Sequence, residues 1–397
     1  MRIEFSPRDV AHRTFQAVLD YPPALRRWLI ACGVAFLIGC VGAAAALPAG
    51  WEVFGTNPTV EWGALIAAYV FFAITTSGIC FTVALGSVFG IQQFKPMEKR
   101  GVILAFLSLL AAFWVILLDL QEPVRLVFGA VLSPSPQSPM WWMGVAYACY
   151  LFVLIAELVT IFAGWHKPHK VAAVLAAIMA VVAPSTLGRV FGSIGAKALW
   201  HGVMTPVVMF STALLCGVSI LSIVLPVAVR IRADGWRETR AITVPAMRWL
   251  LLSVLGLVVA VNAVQIYTNW NSDYRGMHMA VQELLSGRFS IYFWVLRVGV
   301  GVLLPVVLLL TRVTDRPLRL VEAGAASLLG VLVDRFLFVV VAEAKTVTVV
   351  AGTVTYPVAP YTPSLVEGAV ILGALALVAS VYTLLERHVD LSSGGHA

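Results

Sequence analysis

Charge is what this sequence lacks most. Aspartate, glutamate, lysine and arginine together make up 12% of its 397 residues, while 60% are hydrophobic. Soluble domains carry roughly 25% charged residues. A soluble fold is therefore excluded, and the composition describes an all-α polytopic membrane protein. Ligands for redox metals are scarce too. The five cysteines, Cys32, Cys40, Cys80, Cys149 and Cys216, sit in apolar runs with no C-x-x-C pair among them. No iron–sulfur cluster is expected in this chain. The seven histidines (His12, His166, His169, His201, His278, His388 and His396) read as lying outside the spans. Haem b needs two axial histidines facing each other in the bilayer, so no haem is expected either. An apolar leader is also missing. Residues 1–25 are polar and basic, and the first span is expected to act as its own insertion signal. The net charge of +7 does not point to nucleic acid, because the basic residues lie in short loops between apolar runs.

Those apolar runs number ten. They lie near 27–48, 62–90, 101–120, 139–165, 171–192, 202–229, 246–268, 291–311, 318–342 and 365–385. Each is close to the roughly 20 residues that a bilayer core requires. If the N-terminus is cytoplasmic, the inside segments hold Arg2, Arg8, Arg13, Arg26 and Arg27, then Lys95, Lys99 and Arg100, then Lys167 and Lys170. They continue with Arg230, Arg232, Arg237, Arg240 and Arg248, then Arg312, Arg316 and Arg319, and finally Arg387. That is 19 of the 27 basic residues, the asymmetry expected for ten transmembrane helices with both termini cytoplasmic. The organisation is a cytoplasmic segment 1–25, a single membrane domain 26–387 and a cytoplasmic tail 388–397.

The outer side is rich in tryptophan at or near span ends: Trp51, Trp62, Trp141, Trp142, Trp200, Trp270 and Trp294. An interfacial belt accounts for part of this, and a docking surface for the excess. The stretch 343–363, "EAKTVTVVAGTVTYPVAPYTPS", alternates valine and threonine about Gly352 and reads as a β-hairpin on the membrane surface. Such an ornament suits a subunit that seats a soluble partner.

The outer end of the third span reads "DLQEPVRLVF". Asp119, Glu122 and Arg125 are spaced by three, so a continuing helix would carry them on one face. The plain reading is a salt bridge that ends the span. The functional reading is a proton-accepting carboxylate held by Arg125. The fourth span begins at the same side with "SPMWWMGVAYACY", bringing Trp142 and Tyr147 near Asp119 and Glu122. An aromatic wall, a hydroxyl and a carboxylate suit a quinone ring: the ring stacks, its carbonyl accepts a hydrogen bond and the carboxylate takes a proton. Tyr69 and His201, on the same side of the membrane, complete the candidate ring site. Charges within the spans are Glu157, Arg297, Asp334 and Arg335, which act either as interhelical staples or as proton-path groups. Asp334 and Arg335 point about 100° apart on a helix, so Asp334 is expected to pair with Arg297 instead.

These motifs resemble the NrfD-like family, the quinone-reactive membrane subunits of polysulfide reductase and related complexes. The resemblance runs through "YVFFAITTSGICFTVALGSVFGIQQFKPMEKRG", "LLDLQEPVRLVF" and "SPMWW", and returns at "YTPSLVEGAVILGALAL" in the manner of the ten-helix branch, which includes the hydrogenase-2 membrane subunit. Gln121 and Glu122 stand where the family usually has Gly-Arg, and "VVAPSTLGRVFGS" lacks the histidine often found near the outer end of the fifth helix. The resemblance implies two four-helix bundles, spans two to five (about 62–192, the quinone bundle) and spans six to nine (about 202–342), with spans one and ten flanking. It implies menaquinone or ubiquinone as bound substrate drawn from the quinone pool. It also implies an iron–sulfur electron-transfer subunit and a catalytic or multihaem redox subunit as partners, and a bacterial cytoplasmic (inner) membrane as the location. Two other readings stay open. A secondary transporter would use Pro184, Pro206 and Pro305 to break its helices. A structural anchor would keep the fold without quinone chemistry.

Overall fold

The computed structural model describes residues 21–120, 133–232, 239–311, 317–345, 348–350, 353–355, 357–389 and 391. Ten helices within it are long and apolar enough to cross a membrane. They are α1 (Pro23–Ala49), α2 (Ala64–Ser87), α3 (Glu98–Asp119), α4 (Pro139–Phe162) and α5 (His166–Gly192). The second half supplies α6 (Thr205–Arg232), α7 (Val244–Trp270), α8 (Tyr292–Leu310), α9 (Leu318–Ala344) and α10 (Leu365–His388). An apolar segment in lipid must satisfy its backbone internally, and a helix does so. Proline opens α4 at Pro139, where a missing N–H costs nothing. The bounds follow the expected spans closely. One difference matters: α5 begins at His166, so His166 and His169 fall in its first turn rather than outside a span.

The Tyr21 hydroxyl lies 2.5 Å from His388 Nε2, which brings the two ends of the described chain to one side. We call this the terminal face and the other the far face. Helices α2 to α5 form one bundle, and α6 to α9 form a second. The first bundle meets the second through α2 and α5 against α6, and through α2 against α9. α1 and α10 pair with each other and lean on the first bundle through α3. α2 is the axis of the assembly and buries nearly every residue it has.

Glycines set the closest approaches. A Cβ on Gly217 of α6 would lie 1.9 Å from the Gly78 carbonyl carbon of α2, so the two bundles touch backbone to backbone. Gly301 of α8 and Gly330 of α9 meet in the same way inside the second bundle. Lipid gives helices no hydrophobic reason to associate, so small residues that permit close contact do the work. The lipid-facing surface is apolar, with Val41, Phe152 and Ile291 among its most exposed side chains.

On the far face, strands Thr348–Val350 and Thr353–Thr355 pair antiparallel, with Thr348 opposite Thr355. A helix of twelve residues, Arg275–Ser286, lies between α7 and α8 and packs its apolar side against α7, α8 and α9. The expected tryptophan belt divides in two. Trp142, Trp270 and Trp294 are exposed, whereas Trp200 is only 1% exposed. The Trp200 indole donates to the Phe338 carbonyl at 2.7 Å and stacks on Trp62, with Phe191 edge-on. It belongs to the junction of the two bundles, not to the interface with lipid.

Candidate functional site

At the far end of the first bundle, α10 starts with a capping box. Ser364 Oγ accepts from the Glu367 N–H at 3.1 Å, and Glu367 Oε2 accepts from the Ser364 N–H at 2.7 Å. The fully buried Glu367 carboxylate also accepts from the Gly55 N–H at 3.0 Å and from the Tyr361 hydroxyl at 2.8 Å. The Tyr361 oxygen in turn accepts from the Ala64 N–H at 2.6 Å. Burial, with Glu367 beside it, pushes the Tyr361 phenol above its ordinary range, so it stays a donor. Half-buried Asp119, the last residue of α3, has both Glu367 and Tyr361 as electrostatic neighbours. Two carboxylates and a phenol thus gather where α2, α3 and α10 end. Gly63 makes room for them, since a Cβ there would sit 2.6 Å from the Tyr361 oxygen.

Below this cluster the bundle carries a file of polar atoms. The Tyr69 hydroxyl of α2 donates to Met143 Sδ at 3.6 Å, and its ring lies 6.5 Å from that of Tyr147 on α4. Tyr147 and Tyr150 are buried, and neither hydroxyl has a well-formed hydrogen bond among the described residues. The Cys80 thiol neighbours both Tyr150 and Glu157. Glu157 is 2% exposed, and its Oε2 is likewise without a partner among the described residues. Buried polar atoms normally find partners; in this bundle Ser77 Oγ, the Tyr147 and Tyr150 hydroxyls, Glu157 Oε2 and His169 Nδ1 have none among the described residues. The file ends at the terminal face, where Glu157 has His169 and Glu98 as charged neighbours and His169 Nε2 lies 2.7 Å from Glu98 Oε1. Glu157 lies toward the terminal face. It sits in the last third of α4, roughly 8 Å from that helix's end at 1.5 Å per residue.

The remaining expected residues divide by position. Trp142 does not join Tyr147. Five residues separate them, which is about 140° around a helix. Trp142 is 48% exposed and donates its indole N–H to the Pro136 carbonyl at 2.8 Å. His201 is exposed beside Trp200. Glu122 and Arg125 lie outside the described residues. Arg297, Asp334 and Arg335 come together, but in the second bundle. Arg297 Nε is 2.5 Å from Asp334 Oδ1, and Arg335 binds Asp334 Oδ2 through both Nε, at 3.1 Å, and Nη2. Asp334 thus pairs with its sequence neighbour as well as with Arg297. The Cα–Cβ directions diverge, but the long guanidinium stem curls back to its neighbour. Among the described residues no group of three His, Cys, Asp or Glu side chains is placed to hold a metal ion.

Sequence reasoning leaves Glu367 as a charge at the start of a span and does not bring Tyr361, Tyr150, Cys80, Glu98 or His169 into the site. The S-x-x-E of Ser364–Glu367 is a readable cap signal. Nothing local in the sequence indicates that it faces Asp119.

The family model for NrfD, polysulphide reductase, matches residues 52–349. The chain belongs to the NrfD family. It is 24% identical over 341 residues to the Hdr-like menaquinol oxidoreductase integral membrane subunit of Archaeoglobus fulgidus, covering 83% of this chain and 85% of that one. It is 21% identical over 343 residues to a selenate reductase subunit of Mesobacillus selenatarsenatis, covering 77% and 79%. The family match spans both bundles, from the connection before α2 to the first strand of the hairpin.

Proposed function

We propose that this chain is the quinone-interacting membrane subunit of a multisubunit oxidoreductase, with its quinone site at the far end of α2 to α4. The observation that carries the reading is the file of orphaned polar atoms beneath Asp119. Family membership supports it, as does the A. fulgidus relative, whose name specifies menaquinol. The positive-inside pattern supports a cytoplasmic terminal face and an outer far face, in a membrane we take to be a bacterial inner membrane. The bound quinone, menaquinone or ubiquinone, supplies two-electron, two-proton chemistry. The orphaned Tyr147 hydroxyl fits a carbonyl as hydrogen-bond donor, and Tyr69 sets the ring of Tyr147 from the side. Asp119 holds or releases a proton at its carboxylate, a general-base role. Tyr361 and Glu367 position that carboxylate from α10. Tyr150, Cys80 and Glu157 relay protons between this end and His169–Glu98 at the cytoplasmic side. An iron–sulfur subunit docks on the far face over the hairpin and the exposed tryptophans, and a catalytic subunit beyond it determines the soluble substrate.

The test uses the intact complex purified from its membrane. Asp119→Asn and Tyr147→Phe should each leave the complex assembled while quinol-linked turnover falls. Full turnover in both variants removes the site from this end of the bundle. Recovery of the chain alone, with no iron-containing partner and with ion-dependent uptake in vesicles, would favour a transporter instead.

A further inference from the structure

The second bundle holds a charge imbalance that the quinone reading does not use. Two guanidiniums, Arg297 and Arg335, face one carboxylate, Asp334. Arg335 is 1% exposed and Asp334 6%. Among the described residues no other carboxylate contacts either arginine. The cluster therefore keeps one positive charge, about 12 Å inside the far end of α7 if measured by the depth of Asn262 at 1.5 Å per residue. Arg297 lies over the Phe293 ring at 5.0 Å and Arg335 over the Phe338 ring at 5.1 Å, but a charge without a counter-ion at such depth is still costly.

The donors of the two arginines are unequally used. Arg297 Nη2 donates to Asn262 Oδ1 at 2.6 Å, and Asn262 is itself anchored by donating to the Val258 carbonyl at 2.8 Å. Arg335 Nη1 reaches only the Met209 thioether, at 2.8 Å. A thioether is a weak acceptor, so this buried guanidinium edge lacks a proper partner. Beside it lies a cavity of about 30 Å³ bounded by Asn262, Gln265, Asn269 and the three charged groups. Gln265 and Asn269, four apart on α7, share a face, and their carboxamides make no side-chain hydrogen bond among the described residues. A cavity of 10–15 Å³ or more holds one water, so this one admits a small ion and excludes a quinone ring. The π-helical stretch Tyr292–Leu303 brings Arg297 to it, and such turns recur at functional sites. The Arg275–Ser286 helix closes it on the far side with Val281 and Leu284.

We propose that this cavity binds one small inorganic monoanion of chloride size, held by Arg335 and Arg297 and by the carboxamides of Gln265 and Asn269. The anion neutralises the excess charge and locks α7, α8 and α9 together. A retained positive charge attracts an anion and repels a proton, which favours an anion site at this level over a proton-path role. The proposal is independent of the quinone reading, because its readouts need no quinol.

The experiment takes the purified protein in lipid nanodiscs and titrates chloride against gluconate at constant ionic strength, following thermal unfolding and the ³⁵Cl line width. Binding to the folded state alone raises the unfolding midpoint saturably. Chloride and bromide should do so, and gluconate should not. Arg335→Gln should abolish both the stabilisation and the line broadening. Asn269→Leu, at the half-buried mouth, keeps the charges and should raise the half-saturating concentration by about tenfold, the value of one hydrogen bond to a charged group. If Arg335→Gln does not fold, the wild-type line width and Asn269→Leu decide the question. Absence of a saturable chloride effect in the wild-type protein overturns the site. So does an effect that Asn269→Leu leaves unchanged, which would mark screening of surface charge.

Discussion

In α2 to α5, apart from the Arg100–Glu386 pair at the terminal face, the buried polar groups include the hydroxyls of Tyr147 and Tyr150, the Cys80 thiol and the Glu157 carboxylate, strung from the Asp119 end to the His169–Glu98 end. In α6 to α9 two guanidiniums and a carboxylate are gathered at one level and bonded to one another, with buried Glu343 apart at the far end of α9. The two bundles share a helix count and cross glycine to glycine at Gly78 and Gly217. Both hold hydroxyls without partners among the described residues, Ser219, Ser222 and Ser327 in the second bundle, and they differ in where their charged groups lie and what those can still do. Orphaned neutral donors along a bundle are free to exchange partners, which is what transfer needs. Paired charges at one level are committed to each other, which gives rigidity and leaves a single unmet charge. The contrast supports the proposal that chemistry belongs to the first bundle and anchoring to the second.

The largest effect is expected where the bundles touch. Gly217→Leu would force a side chain into space where even a Cβ lies 1.9 Å from Gly78. The assembly should be lost from detergent extracts on size exclusion, whereas Gly144→Ala, with nothing within 4 Å, should behave as wild type. A stable Gly217→Leu protein would mean that the bundles are joined less closely than their backbones imply.

The next two effects should be opposite in kind. Asp119→Asn removes a proton acceptor, and quinol-linked turnover should drop about 10²- to 10⁴-fold, the usual contribution of general acid–base catalysis. Its thermal midpoint should hardly move. Asp334→Ala leaves two guanidiniums without their shared carboxylate, and breaking a buried pair in this way costs about 3–5 kcal/mol. Its midpoint should fall, while turnover per assembled complex stays the same. Equal losses of turnover in both variants would erase the distinction between the bundles.

The fold was largely legible because lipid imposes its own grammar. Apolar length locates a span, and loop arginines carry the expectation of its direction. The capping of α10 was readable from Ser364 and Glu367. What could not be read was which ends meet. Asp119 and Glu367 are brought together by the flanking of α10 along α3, which Arg100 secures at the opposite end through Glu386 at 2.9 Å. No periodicity in either helix encodes that contact. Tyr147 was visible from its place in α4, but its alignment with Tyr150 and Glu157 depends on which face α4 turns toward α2. The pairing of Asp334 with Arg335 was missed because backbone direction was taken for the reach of a long side chain.

The smallest expected effect separates two tryptophans that look alike in sequence. Trp142 and Trp200 both stand near a span end on the far face. Trp142 is half exposed and its indole bonds within its own connection, to Pro136. Trp142→Phe keeps an aromatic ring at the interface and should change stability by less than about 0.5 kcal/mol, as surface substitutions usually do. Trp200 touches Trp62, Phe191 of the first bundle and Phe338 of the second, and its N–H satisfies a buried carbonyl. Trp200→Phe removes that hydrogen bond, at about 0.5–1.5 kcal/mol because the Phe338 carbonyl keeps its place in the α9 ladder, and loosens the junction between the bundles. Thermal unfolding of the two variants side by side measures the difference. If Trp142→Phe proves the costlier of the two, the far-face aromatic that matters is the outward one, and the contact holding the bundles together must lie elsewhere.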